Sequence, residues 1–225
     1  MFKRMTLLRR LPAHDPEQFR THWADVHGAL VLRLPGIRRY VQNDIVDAAG
    51  RFDGIVELWF DDEPALRAAF ASVHGRGLPD DEANFLGGKI VCDVEERVIA
   101  SAPPGDVAAK LITVAHGAHA HDRDAWEAWH AGIVRAVHPG DFACTRMSVH
   151  RVVSMQRVGS EAGATADLFA FLVYHFTTPH ARASFIGTGR ADAVERLAFD
   201  ASATFLRMPV RERVLKERSP SAPPA

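Results

Sequence analysis

The sequence has little of several things, and each scarcity removes a class of protein. It contains 2 cysteines in 225 residues, Cys92 and Cys144. Two are too few for a disulfide framework, and each lies in a strand-like stretch where a buried free thiol is the plain reading over a bridge or a reactive group. Charge of neither sign dominates: 27 Lys and Arg against 28 Asp and Glu give a formal net charge of −1. Without a basic surplus, neither nucleic acid nor an anionic membrane is indicated as a partner. No apolar run is long enough to span a bilayer. The first residues, MFKRMTLLRRLP, are basic but lack the continuous apolar segment of a signal peptide. A reducing, cytoplasmic setting fits. There is no G-x-G-x-x-G, P-loop, G-x-S-x-G or C-x-x-C-H run, so nucleotide, covalent-serine and c-type haem chemistry have no support and no cofactor is called for.

What is there is repetition. Trp23 and His27 recur as Trp126 and His130 with the same spacing, and each pair is followed by an apolar run and a Pro-Gly. "FDDEPALRAAF" (60–70) aligns with "HFTTPHARASF" (175–185), and "VEERVIA" (94–100) with "VRERVLK" (210–216). Three matches in one order point to two related halves. "SAPPGD" (101–106) reads as the linker, giving units over 1–102 and 107–217, and the Pro/Ser/Ala-rich end over 218–225 reads as a disordered tail. Hydrophobic periodicity gives each half the order β-α-β-β-α-β. One sheet face of such a unit is left bare by its two helices, which is costly at this size. The expected fold class is therefore α+β: two ferredoxin-like β-α-β-β-α-β repeats fused into a pseudo-dimeric α+β barrel, sheets facing and helices outside.

The residues "DPEQFRTHWADVHGALVLRLPGIRRYVQN" and "DGIVELWFDDEPALRAAFAS" resemble the EthD family of the dimeric α+β barrel superfamily. "DDEANF" (80–85) is similar to the family's acidic segment before its last strand. The resemblance covers residues 1–100 well and 107–216 loosely. It implies a pocket between helix and sheet. It leaves the activity wide: relatives include muconolactone isomerases, polyketide-tailoring lyases and cyclases, and proteins linked to ether degradation, while superfamily cousins are cofactor-free monooxygenases or bind haem.

His27 is the first candidate. Trp23, Leu30 and Leu34 put it on an apolar helical face, where it is either a core histidine with one hydrogen bond or, in the pocket the resemblance implies, a general acid or base. Glu57 lies mid-strand in "IVELWF", sharing a face with Ile55 and Trp59 while Val56, Leu58 and Phe60 take the other. A carboxylate there needs a partner, and structural ion pairing stands beside a catalytic role with His27. Trp23, Tyr40, Asn43 and Trp59 are candidates to line a substrate pocket, or plain core. His130 keeps the histidine position in the second half, but an ungapped alignment sets Leu172 opposite Glu57, so the second copy reads as degenerate. "HGAHAHDRD" (116–124) matches no zinc spacing and reads as a loop, with no metal. Together these point to a cytoplasmic protein that binds a small apolar cyclic metabolite, a lactone or aromatic polyketide-like molecule. Its chemistry would be cofactor-free proton transfer of isomerase, cyclase or lyase type. Cofactor-free oxidation and plain ligand binding are the alternatives. Homodimerisation stays open.

Overall fold

The structure, a computed structural model, describes residues 1–46, 51–101, 107–117, 123–136, 144–161, 168–196 and 204–216. The tail at 218–225 lies outside them, as do Pro139-Gly140 and most of the segments 101–106 and 116–124. His116 ends a strand, Asp124 starts a helix, and no group of three metal-ligating side chains occurs among the described residues. Cys92 and Cys144 are buried free thiols, and burial pushes both above the ordinary thiol pKa. No described helix is long and apolar enough to cross a membrane.

The first half begins with β1 (Phe2–Arg10), then α1 (Pro16–Thr21), a π-helical segment (His22–His27) and α2 (Gly28–Val31). β2 (Arg39–Ile45), β3 (Gly54–Phe60), α3 (Glu63–Ala71), α4 (Val73–Arg76), α5 (Leu78–Glu82) and β4 (Leu86–Ser101) follow. The second half holds β5 (Ala109–His116), α6 (Arg123–Ala136), β6 (Cys144–Gly159) and β7 (Leu168–Phe176). α7 (Pro179–Gly187), α8 (Arg190–Arg196) and β8 (Thr204–Lys216) complete it.

Local chemistry sets the helix starts. Asp15 caps α1, accepting from the backbone N–H of Glu17 and Gln18, while the Gln18 side chain accepts from the Asp15 N–H; Pro16 takes the first turn, where no N–H is needed. Asp62 caps α3 through the N–H of Ala65, as Thr178 caps α7 through that of Ala181. Gly36, at φ +74°, closes the turn into β2, a conformation that Cβ-bearing residues avoid.

The expected fold class needs correction. The eight strands form one closed, antiparallel, mostly-sheet barrel in the order β1-β3-β2-β8-β5-β7-β6-β4, not two fused ferredoxin-like α+β repeats with stacked sheets. The physical reason lies at the sheet edges. Stacking hides bare faces but leaves edge strands with unpaired N–H and C=O groups; closure pairs every strand on both sides. The strands are long enough for this: β4 and β6 run 16 residues each and β8 runs 13. Contacts divide the chain into two compact units. Unit 1 is Met1–Asp93 with Gln156–Gly163 and Glu212–Ala225; unit 2 is Val94–Met155 with Ala164–Arg211.

In unit 1 the side of the sheet under the helices carries Leu8, Tyr40, Val56, Leu58 and Phe60, packed with Phe19, Trp23, Val31 and Leu34. All seven residues of β3 are buried, as expected for a strand covered on both faces. In unit 2 the corresponding core is Trp126, Trp129 and Ile133 of α6 against Phe169, Tyr174 and Phe176 of β7, with Phe185.

Candidate functional site: an imidazole–carboxylate pair in a cavity of unit 1

The site starts from a departure from α-helical geometry. In a regular helix, residues five apart point about 140° away from each other. Through residues 22–27 the chain is π-helical, and the Gly28 N–H reaches back to the Trp23 carbonyl. The wider turn brings His22 and His27 to one side. There both meet Asp81 of α5: His22 Nε2 lies 2.9 Å from Oδ1 and His27 Nδ1 2.8 Å from Oδ2. Phe85 packs on both imidazoles, with ring centroids 4.8 Å and 5.0 Å away.

An ionised carboxylate only accepts, so His27 donates its Nδ1–H to Asp81 and carries the lone pair on Nε2. His27 is 5% exposed and lines a cavity of about 360 Å³. Burial lowers its pKa from the ordinary 6.5, against the opposing pull of the Asp81 hydrogen bond and the Glu82 charge. At neutral pH it is an uncharged base with its orientation fixed. The rest of the wall is largely apolar, including Leu8, Val31, Leu58 and Phe70, with Arg4, Thr6, Tyr40, Glu82, Lys89 and Gln156 as polar points. An apolar cavity with a few convergent polar groups is the usual form of a small-molecule site.

The π segment is tied to the sheet by Gln42 of β2. Its Nε2 donates to the Trp23 carbonyl at 2.8 Å and to the Tyr40 hydroxyl oxygen at 2.7 Å.

The candidates read from sequence divide between places. His27 and Tyr40 line the cavity. Trp23 is core: it is 0% exposed and packs against Gly54, where a Cβ would come within 2.5 Å of its ring. Glu57, Asn43 and Trp59 are on the opposite sheet face from Val56 and Leu58, away from His27. Glu57 pairs there with Lys3 Nζ at 2.7 Å and accepts from Asn43 Nδ2 at 2.9 Å, while the Lys3 Nζ sits 4.3 Å above the Trp59 ring. The partner of His27 is thus Asp81, not Glu57. His130 belongs to unit 2, half-buried and stacked on Trp126 at 6.2 Å. Burial, then Arg97, lowers its pKa, with Glu127 opposing. Sequence reasoning missed Asp81, His22 and Gln42. The acidic run "DDEANF" was the signal for Asp81; no periodicity predicts a π turn.

The EthD domain matches residues 11–89, which span the π segment, β2, β3 and α5 with Asp81. An uncharacterised 11.0 kDa protein from the thcB-thcC intergenic region of Rhodococcus erythropolis is 30% identical over 97 residues, 39% of this chain and 86% of that protein. Among solved structures, an anthrone oxidase-like protein superposes with a TM-score of 0.64 at 13% identity, covering 98% of this chain and 96% of that one. A provisionally named monooxygenase from Lactobacillus acidophilus gives 0.58 at 12% identity, covering 96% of each chain. These two similarities speak for the fold alone. The sequence matches speak for descent, and by them the chain belongs to the EthD family.

Proposed function

We propose that unit 1 binds a small, largely apolar cyclic metabolite, a lactone or aromatic polyketide-like molecule, and moves a proton on it without a cofactor. The observation that supports this most is His27: Nδ1 held by Asp81, the ring buried, and the residue lining a largely apolar cavity. In this reading Nε2 takes a proton from carbon beside a carbonyl, and the electron pair moves onto the carbonyl oxygen. Asp81 stabilises the imidazolium as it forms. Return of the proton to another carbon gives an isomer; loss of a leaving group gives elimination. Glu57 has no part in this step.

A second reading shares the first step. The carbanion, formed from the keto tautomer of a hydroxylated aromatic, would give its electrons to dioxygen as co-substrate; a C–O bond forms to give a hydroperoxide, and loss of water leaves a new carbonyl, in keeping with the names of the anthrone oxidase-like and monooxygenase proteins. One experiment separates them. Lactones and hydroxylated aromatics are incubated with the protein in D2O, following deuterium uptake by NMR and oxygen by electrode. Exchange without oxygen uptake is expected. Stoichiometric oxygen uptake supports the second reading. Ligand binding with neither, unchanged in His27→Gln, leaves only a binding protein.

A further inference from the structure

The cavity wall carries charge, and each charged group on it already faces an opposite one. Arg4 donates to Asp93 twice, through Nε at 2.7 Å and Nη2 at 3.1 Å. Lys89 is paired with Glu82, and His27, uncharged, is hydrogen-bonded to Asp81. The Arg4 and Asp93 side chains are 19% and 14% exposed, so this pair is sheltered as well as matched. A ligand carboxylate entering here would shed its water and find both cations occupied. It would also lie near carboxylates that repel it. Losing hydration without gaining a partner is strongly unfavourable, and the same holds for an ammonium beside these cations. An uncharged ligand meets neither penalty.

What such a ligand can use is Tyr40. The orientation of Gln42 fixes the direction of the phenolic hydrogen. The Trp23 carbonyl can only accept, so the Gln42 NH2 must face it; the same nitrogen also reaches the Tyr40 oxygen. The Tyr40 oxygen therefore accepts within the protein, and its own hydrogen is left for something else. Tyr40 is 0% exposed and lines the cavity. Burial pushes its pKa far above the ordinary 10.0, so the hydrogen stays on at any working pH.

We infer that the cavity selects an uncharged cyclic ligand with one acceptor oxygen, a ketone or lactone carbonyl, seated on the Tyr40 hydroxyl. Asp93 sets the selectivity by occupying Arg4. This rests on the reading that the cavity is the ligand site, and not on any turnover.

The test is binding by isothermal titration at pH 7.5 with two pairs of probes: coumarin against coumarin-3-carboxylate, and 1-tetralone against a carboxylated tetralone. Wild type should bind each neutral member at least tenfold more tightly. Asp93→Asn, which releases Arg4, should raise carboxylate affinity at least fivefold and leave neutral affinity within twofold. Should that variant not fold, Glu82→Gln, which releases Lys89, should shift the preference the same way. Tyr40→Phe should weaken the neutral probes about fivefold. Equal or tighter carboxylate binding by wild type would overturn the proposal. So would no binding of either neutral probe at millimolar concentration, an unchanged preference in the charge variants, or full affinity in Tyr40→Phe. Absence of exchange and oxygen uptake would sink the acid–base reading and leave this one standing, because binding is read without turnover.

Discussion

Units 1 and 2 solve the same packing problem with opposite means. Each lays a tryptophan from its first helical stretch on the third strand of its half. Trp23 lies on bare Gly54. Trp126 packs on Phe169, 5.8 Å away, at the position that the Pro64–Pro179 alignment sets opposite Gly54. One residue before His27 stands exposed Val26; one before His130 stands Trp129, buried against the same Phe169. Large rings crowd this place in unit 2, while unit 1 has glycine and an exposed valine there. The carboxylates differ likewise. Asp81 faces two imidazoles in unit 1, whereas Glu195 in unit 2 is bound by Arg207. Burial raises the pKa of Glu195 even so. The contrast teaches that the two units share a way of packing a tryptophan on a strand and differ in what surrounds it.

The contrast can be attacked first through packing, where the effect is largest. Phe169→Ala should cost about 3–5 kcal/mol, because it empties a space walled by Trp126 and Trp129. At the matching position in unit 1 the sign of the size change reverses: Gly54→Ala, adding a single methyl, should cost about 1–3 kcal/mol by pushing into Trp23. Urea unfolding measures both. A Gly54→Ala protein as stable as wild type would show that Trp23 is free to move and that the units are not packed in contrasting ways.

Next comes chemistry. His27→Gln and Asp81→Asn should each lower turnover on the order of a hundredfold, about 2.7 kcal/mol of transition-state stabilisation. His130→Gln should leave it within twofold. Equal losses at His27 and His130 would mean that both units are catalytic, and equal turnover in wild type and His27→Gln would rule out the mechanism.

How much of this was legible from sequence follows from what each signal encodes. Period-2 alternation separates Ile55, Glu57 and Trp59 from Val56, Leu58 and Phe60, but does not say which set meets the helices. His27 is on the side of Val56 and Leu58, so the parity that identified Glu57 as buried also removes it from His27 once the helix face is known. Apolar spacing places His27 inward. It assumes about 100° per residue, so it could not bring His22 beside it. Asp81 reaches both through a chain return 54 residues after His27, which is tertiary information. Strand positions are likewise local and readable. Closure of the barrel depends on pairing between strands far apart in sequence, and no local pattern records it.

A smaller effect is expected from pH. An unfolded His27 binds its proton near pH 6.5, and the folded one binds it only at lower pH. Between these values the unfolded state holds more protons, so stability falls as pH drops below 6.5 and levels off below the folded value. His130 shifts in the same direction but is less buried. Chemical unfolding from pH 7.5 to 4.5 should therefore give a profile that His27→Gln flattens more than His130→Gln. A larger flattening from His130→Gln would place the costlier neutral imidazole in the wrong unit.

The smallest effect concerns the chain's 2 tyrosines, one in each unit. The Tyr40 oxygen accepts from Gln42, so Tyr40→Phe leaves a buried N–H without that acceptor and should cost about 1 kcal/mol. Tyr174 is also fully buried, yet its hydroxyl has no hydrogen-bond partner among the described residues. Its neighbours Glu195 and Arg207 bond each other instead. Removing a hydroxyl that is already dehydrated and unmatched takes away a penalty, not an interaction. Tyr174→Phe should then be neutral to stabilising, within about 0.5 kcal/mol of wild type. Paired denaturation curves measure the difference directly. A loss at Tyr174 as large as that at Tyr40 would mean that its hydroxyl is matched in solution, and that unit 2 keeps a polar network of its own behind the aromatic packing.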